Sequence, residues 1–139
     1  KMLEEARKAK EARSSGINLL GVTVLTSFDD ASWEEAAPGC PMEAALAKRA
    51  ALCRETGMDG IVCSPLDLEV VKKEAGGLFT VVPGVRPAAS GDDQARRAAP
   101  LETVKRGADY LVVGRPILKA PDRVAAVRAI ASEIEEGLA

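Results

Sequence analysis

The 139-residue chain contains no histidine. That removes the commonest general base and the commonest zinc ligand from any mechanism. Aromatic residues make up only 3%, too few for the stacking platforms that hold unpaired bases. The formal net charge is -2, so no excess charge draws the chain to nucleic acid or to an anionic membrane. No apolar run approaches the ~18 residues of a membrane span. Lys1-Met2-Leu3-Glu4-Glu5 reads as a charged helix start and not as a signal peptide. Cysteine is scarce and odd in number: Cys40, Cys53 and Cys63. No pair has metal-ligand spacing, so no metal is expected, and free thiols in a reducing cytosol are the expected state. With no histidine to activate them, their expected use is packing.

What is present describes an ordinary folded domain. Hydrophobic residues are 47% and charged residues 29%, and the length suffices for one domain with a real core. Helix formers fill Met2 to Arg13, and Ser14-Ser15-Gly16 ends that segment. The chain thus opens on a helix with no strand before it, and the expectation is that something upstream is missing. Ile17 to Thr26 (INLLGVTVLT) is apolar on both faces and β-branched, the pattern of a buried parallel strand. Asp30 or Ser32 can cap a short helix, with Ser32 and Glu35 at capping-box spacing. Pro41 to Thr56 is expected as a full helix with Ala45, Leu46, Arg49, Leu52 and Cys53 on one side, closed by Gly57.

The pattern then repeats. Met58 to Cys63 reads as a second strand, and Ser64-Pro65 opens a helix with Leu68, Val71 and Ala75 inward. Leu78 to Pro83 reads as a third strand, followed by a Gly-, Pro- and Ser-rich loop from Gly84 to Asp93. A short helix over Pro100 to Arg106 ends at Gly107, and Tyr110 to Val113 reads as a fourth strand. Asp122 caps a last helix with Val124, Val127, Ile130, Ala131 and Ile134 as its buried stripe and Gly137 at its end. Gly57-Met58-Asp59-Gly60-Ile61-Val62 echoes Gly107-Ala108-Asp109-Tyr110-Leu111-Val112, a repeated αβ unit that supports successive right-handed crossovers in one sheet. Asp59 and Asp109 fall at the amino ends of their strands and read as turn or cap residues.

Functional groups gather at the opposite strand ends. The stretch DYLVVGRPI, Asp109 to Ile117, is a strand that stops at Gly114; Arg115 comes next, and Pro116 cannot continue a sheet. A glycine exposing backbone N–H groups beside a guanidinium fork makes a phosphate grip. In (β/α)8 barrels that grip commonly lies in the loops after the last two strands. The loop Pro83 to Arg97 carries Arg86, Arg96, Arg97 and Gln94. By composition it is either a gripping loop or a solvated one, and its place just ahead of the Gly114-Arg115 strand end favours gripping. Thr26-Ser27 closes the first strand with two hydroxyls, suited to reading a nucleotide or to capping the segment from Asp29-Asp30 onward. No Lys, Asp or Glu stands within these strands or just at their carboxyl ends, so the chain offers binding groups and almost no catalytic ones.

Five motifs carry a resemblance: LLGVTVLTS (Leu19 to Ser27), DGIVCSP (Asp59 to Pro65), VPGVRP (Val82 to Pro87), GDDQ (Gly91 to Gln94) and DYLVVGRPI. In order and spacing they resemble the bacterial orotidine 5′-phosphate decarboxylases, over the carboxyl-terminal half only. The resemblance implies an α/β fold of the (β/α)8 TIM-barrel family, here about half a barrel: four parallel strands with flanking helices. Residues 1–139 would be the carboxyl-terminal half of a single barrel domain. It implies a cytoplasmic homodimer that converts orotidine 5′-monophosphate to uridine 5′-monophosphate in de novo pyrimidine synthesis, with no cofactor and no metal. It places Thr26 against the nucleotide, Gln94, Arg115 and the Gly114 backbone on the phosphate, and Arg86 at a further ligand contact. It puts the catalytic Lys and Asp array in a D-x-K-x-x-D segment of the missing amino-terminal half. No such segment occurs here, so this chain is expected to hold no catalytic residue and to be inactive alone. Two departures stand out: the Arg86 to Gln94 loop is one residue short, and Val82 replaces a common Thr. Two other readings stay open: a related sugar-phosphate lyase or decarboxylase, and a non-catalytic phosphate-binding half-barrel.

Overall fold

The computed structural model describes residues 1–87 and 98–139. Helix α1 (Met2–Ala12) leads to strand β1 (Leu20–Val22), then α2 (Asp30–Ala36), α3 (Met42–Glu55) and β2 (Gly60–Val62). A 3₁₀ turn (Pro65–Asp67) runs into α4 (Leu68–Glu74), followed by β3 (Phe79–Val82), α5 (Pro100–Lys105), β4 (Tyr110–Leu111), α6 (Arg115–Leu118) and α7 (Arg123–Leu138). The strands form one sheet in the order β1-β2-β3-β4, every pair parallel. Sequential parallel strands joined through helices are the arrangement of half a (β/α)8 barrel. Among the described residues no helix is long and apolar enough to cross a membrane.

The register sorts the side chains into two faces, since successive strand residues point to opposite sides. Gly21, Ile61 and Thr80 lie in one row, with Val82 and Leu111 in the next. Here Ile61, Thr80 and Val82 are fully buried. Ile61 and Val82 pack with Leu46, Ala50 and Cys53 of α3 and with Leu68 and Val71 of α4 in the main core. The other face carries Leu20, Gly60 and Phe79, then Val22, Val62, Val81 and Tyr110. It is left open: Val22 is 57% exposed, Tyr110 60% and Val112 47%. The expectation of strands buried on both faces is therefore corrected. The apolar residues are there on both sides, but the described residues place helices over only one of them.

The strands are also shorter than the apolar runs that contain them. β1 covers Leu20–Val22 within Ile17–Thr26, because β1 is an edge strand and its one neighbour supplies a ladder of three residues. Three helix expectations change as well. The α2 cap is Asp29, whose carboxylate accepts from Ser32 N at 2.8 Å while Ser32 Oγ accepts from Asp29 N at 3.0 Å. A shorter Asp–Ser pair closes the box in place of Ser32 and Glu35. In α3 the buried line is Leu46, Ala50 and Cys53, while Leu52 and Arg49 are exposed. In α7, Val124, Val127 and Ala131 face solvent and Ile130 alone is buried. Gly137 lies inside that helix, where an added Cβ would stand 3.0 Å from Leu101 O, so this glycine lets α7 approach α5 closely. The Asp122 cap is as expected, accepting from Ala125 N at 2.9 Å.

The repeated αβ units reappear as matched clamps. Gly57 and Gly107 both end their helices in the left-handed region, at φ 70° and 87°, which an L side chain adopts only with strain. Asp59 then accepts from Leu19 N at 2.7 Å and from Lys10 Nζ at 2.7 Å. Asp109 accepts from Thr80 N, Thr80 Oγ1 and Lys72 Nζ, each at 2.8 Å. Each aspartate holds the start of the preceding strand and a lysine of the helix before it. Both carboxyls sit below their ordinary value. For Asp59 the Leu19 amide leads, then Lys10. For Asp109 burial pushes upward, and the hydrogen bonds from Lys72 and Thr80 outweigh it.

Candidate functional site at the carboxyl ends of the strands

Because all four strands run parallel, their carboxyl ends share one rim of the sheet. The chemistry divides by end. The amino end holds the paired carboxylates Asp59 and Asp109, and the carboxyl rim receives Thr26, Arg86, Gly114 and Arg115.

After β1 the ladder is prolonged by Thr23, whose N and Oγ1 both donate to Val62 O, at 3.2 and 2.9 Å. The chain then turns at Leu25–Phe28, where Phe28 N donates to Leu25 O at 3.1 Å. Thr26 and Ser27 are the two central residues of that turn, one half-buried and the other exposed. They open onto a recess of about 260 Å³ lined also by Val24, Val62, Cys63 and Pro83. This recess spans the ends of β1, β2 and β3. Its lining is mostly apolar, with Thr26 and Ser27 the hydroxyl-bearing residues in it. Cys63 is 1% exposed here.

β3 and β4 are adjacent. Beyond β3, Val85 pairs with Ala98 and Arg86 N donates to Ala98 O at 3.0 Å. The Arg86 side chain is only 6% exposed, and its Nη1 donates to Val85 O at 2.8 Å. Part of its donor fork thus supports the backbone at this strand end. Gln94 lies outside the described residues, as do Arg96 and Arg97.

Beyond β4, Gly114 stands just before the four-residue α6 as its N-cap, its carbonyl accepting from Ile117 N and Leu118 N at 3.0 Å each. Its φ is -107°, and an added Cβ would meet none of the described residues within 4 Å. Neither a left-handed backbone nor close packing by described residues calls for this glycine. Among the described residues it leaves open space beside the chain at the strand end. Arg115, half-buried, is the first residue of α6, and Pro116 comes next at a position where its missing N–H costs no helical bond.

The structure thus brings Arg86, Gly114 and Arg115 to two neighbouring strand ends and sets Thr26 at the end of β1 on the same rim. Among the described residues no group of three or more His, Cys, Asp or Glu is placed to hold a metal ion. Sequence reasoning missed Arg49. From α3 its Nη1 reaches Thr23 O at 2.7 Å, and its guanidinium lies 5.3 Å from the centre of the Trp33 ring. Its place among apolar residues on one helix side marked it as inward, but nothing in the spacing pointed to a carbonyl at the end of β1.

Comparison with known proteins adds a family. The model of the orotidine 5′-phosphate decarboxylase / HUMPS family matches residues 1–130. The orotidine 5′-phosphate decarboxylase of Anaeromyxobacter dehalogenans (strain 2CP-1 / ATCC BAA-258) is 48% identical over 131 residues, 93% of this chain and 58% of that protein. The same enzyme of Geotalea daltonii is 45% identical over 121 residues, 86% of this chain and 51% of the relative. Among solved structures, orotidine 5′-phosphate decarboxylase from Lactobacillus acidophilus superposes with a TM-score of 0.75 at 32% identity, covering 96% of this chain and 58% of that one. The chain therefore spans between half and three-fifths of the length of these relatives.

Proposed function

This chain belongs to the orotidine 5′-phosphate decarboxylase / HUMPS family, and on that premise we propose that it is the carboxyl-terminal half of a single barrel domain. The complete domain removes the carboxylate of orotidine 5′-monophosphate to give uridine 5′-monophosphate in de novo pyrimidine synthesis. This half supplies the substrate grip: Thr26 at the nucleotide, Gly114, Arg115 and Gln94 at the phosphate, and Arg86 beside them. The lysine and aspartates of the reaction belong to the other half, which packs on the open face of Leu20, Val22, Phe79 and Tyr110. Alone, this half does not turn over substrate. The complete protein is a cytoplasmic homodimer.

The observation that carries the reading is the pairing of an arginine with an unfilled glycine at the end of β4, next to the end of β3. A phosphate held there lies away from the carboxylate that leaves. Its binding energy then serves catalysis by holding the reacting carbon in position. A charge-assisted contact of this kind is worth about 1.5–3 kcal/mol. In the complete protein Arg115→Ala should therefore lower kcat/KM for orotidine 5′-monophosphate by roughly 10- to 150-fold, at ~1.4 kcal/mol per tenfold. Use of orotidine, which lacks the phosphate, should barely change. An equal loss on both substrates would assign Arg115 to holding the fold. Binding of ketose phosphates in preference to uridine 5′-monophosphate would move the proposal to the sugar-phosphate branch of the family.

A further inference from the structure

We infer that Arg49 is a positioning residue for the nucleotide end of the site, acting through the turn that carries Thr26. The inference rests on the reading of Thr26 as a nucleotide contact and deepens it. Three contacts enclose that turn. On its entry side, Arg49 Nη1 donates to Thr23 O at 2.7 Å. On its exit side, Phe28 meets the Trp33 ring edge-on at 5.5 Å between centroids. The two sides are tied together because the Arg49 guanidinium stacks 5.3 Å from the centre of that same ring.

Trp33 is itself fixed. It is 5% exposed, and its Nε1 donates to Cys40 O at 2.7 Å. Arg49 sits two turns before the end of α3, a 14-residue helix whose buried line Leu46, Ala50 and Cys53 anchors it to the core. One side chain thus transmits the position of a rigid helix to both ends of a short turn. A guanidinium suits the task because its planar fork donates to a carbonyl while its face stacks on an indole. Among the described residues, the turn that centres on Thr26 and Ser27 is closed by one backbone bond, from Phe28 N to Leu25 O. Without Arg49 the turn keeps its sequence and loses its fixed height above the recess.

The test uses the complete protein. Arg49→Met keeps the length of the apolar stem and removes the guanidinium, and Arg49→Lys keeps a cationic donor on the same exposed helix face. With orotidine 5′-monophosphate as substrate, Arg49→Met should raise KM about tenfold, the effect of a Thr26 contact no longer held in place. Its kcat should stay within about twofold of the parent, since Arg49 touches no reacting atom. Arg49→Lys should recover KM to within about threefold of the parent. Unchanged KM in Arg49→Met overturns the inference. So does a fall in kcat that tracks the folded fraction at constant KM, because that is the effect of a purely structural residue. A lysine variant no better than methionine overturns it too, since the donor would then be irrelevant. Absence of decarboxylation in the parent protein is a separate result, and it overturns the proposed function.

Discussion

Gly21 faces the helix layer from the middle of β1, and a methyl group there meets Cys53 of α3. An added Cβ would collide with Cys53 Sγ, stand 3.3 Å from Cys53 Cβ and lie 3.7 Å from Met58 Cγ. Both neighbours are packed: Cys53 is 2% exposed and Met58 4%, and both belong to the main core. Forcing a methyl into such a site costs about 1–3 kcal/mol. Gly21→Ala should therefore destabilise the complete protein by about 2 kcal/mol, read as a drop in the urea midpoint at constant m value. The mechanism is tested by the partner. Cys53→Ala removes the sulfur and should by itself cost about 1 kcal/mol in lost burial. Combined, the new methyl occupies the space the sulfur vacates, so the double variant should be more stable than the two costs summed. A coupling of about 1–2 kcal/mol is expected, within the range for residues in contact. Costs that add to within about 0.5 kcal/mol would refute the steric argument. A neutral Gly21→Ala would show that β1 can withdraw from α3.

Acid stability should report the two aspartate clamps. The carboxyls of Asp59 and Asp109 are held below their ordinary 3.8 in the folded chain. At acid pH the unfolded chain then binds more protons than the folded one, so stability rises with pH through that window. Their contribution is complete above about pH 5 and is lost as pH falls through the folded values. Replacing both by Asn should flatten the fall in melting temperature between about pH 5 and pH 3; an acid limb as steep as the parent's would count against the clamps. The thiols should separate by exposure. Cys40 is exposed and Cys53 and Cys63 are buried, and burial pushes the Cys53 thiol up. In a native alkylation time course read by peptide mass, Cys40 should label first, and early label on Cys53 would contradict its place beneath β1.

Local signals in the sequence settled the four strands, their order and the longer helices, while the four-residue α6 after Gly114 went unread. Four apolar β-rich runs, each preceded by a helix, became four strands. Gly57 and Gly107 stopped their helices where a positive φ was needed, and Asp122 capped the last one. The echo between Gly57 to Val62 and Gly107 to Val112 became two like clamps at the amino end of the sheet. The rim residues were legible for the same reason: in a parallel sheet, the residues just past each strand all fall on one side. These are properties of short segments, carried by φ preference, turn chemistry and the alternation of apolar residues.

Tertiary structure decided whatever depends on the neighbour. Ile17 to Thr26 pairs over three residues because β1 has one partner of that reach. Its second apolar face, with that of Tyr110 and Val112, is open because burial depends on which elements are packed above it. Gly137 reads as a helix stop in the sequence, and in the fold it is the point where α7 crosses close to α5. Arg49 reads as one of several residues on a helix side. Only folding brings it to Thr23 O and over Trp33, residues 26 and 16 positions earlier in the chain. Sequence patterns report each segment's own preference, whereas contacts between segments exist only after the sheet and its helices have met.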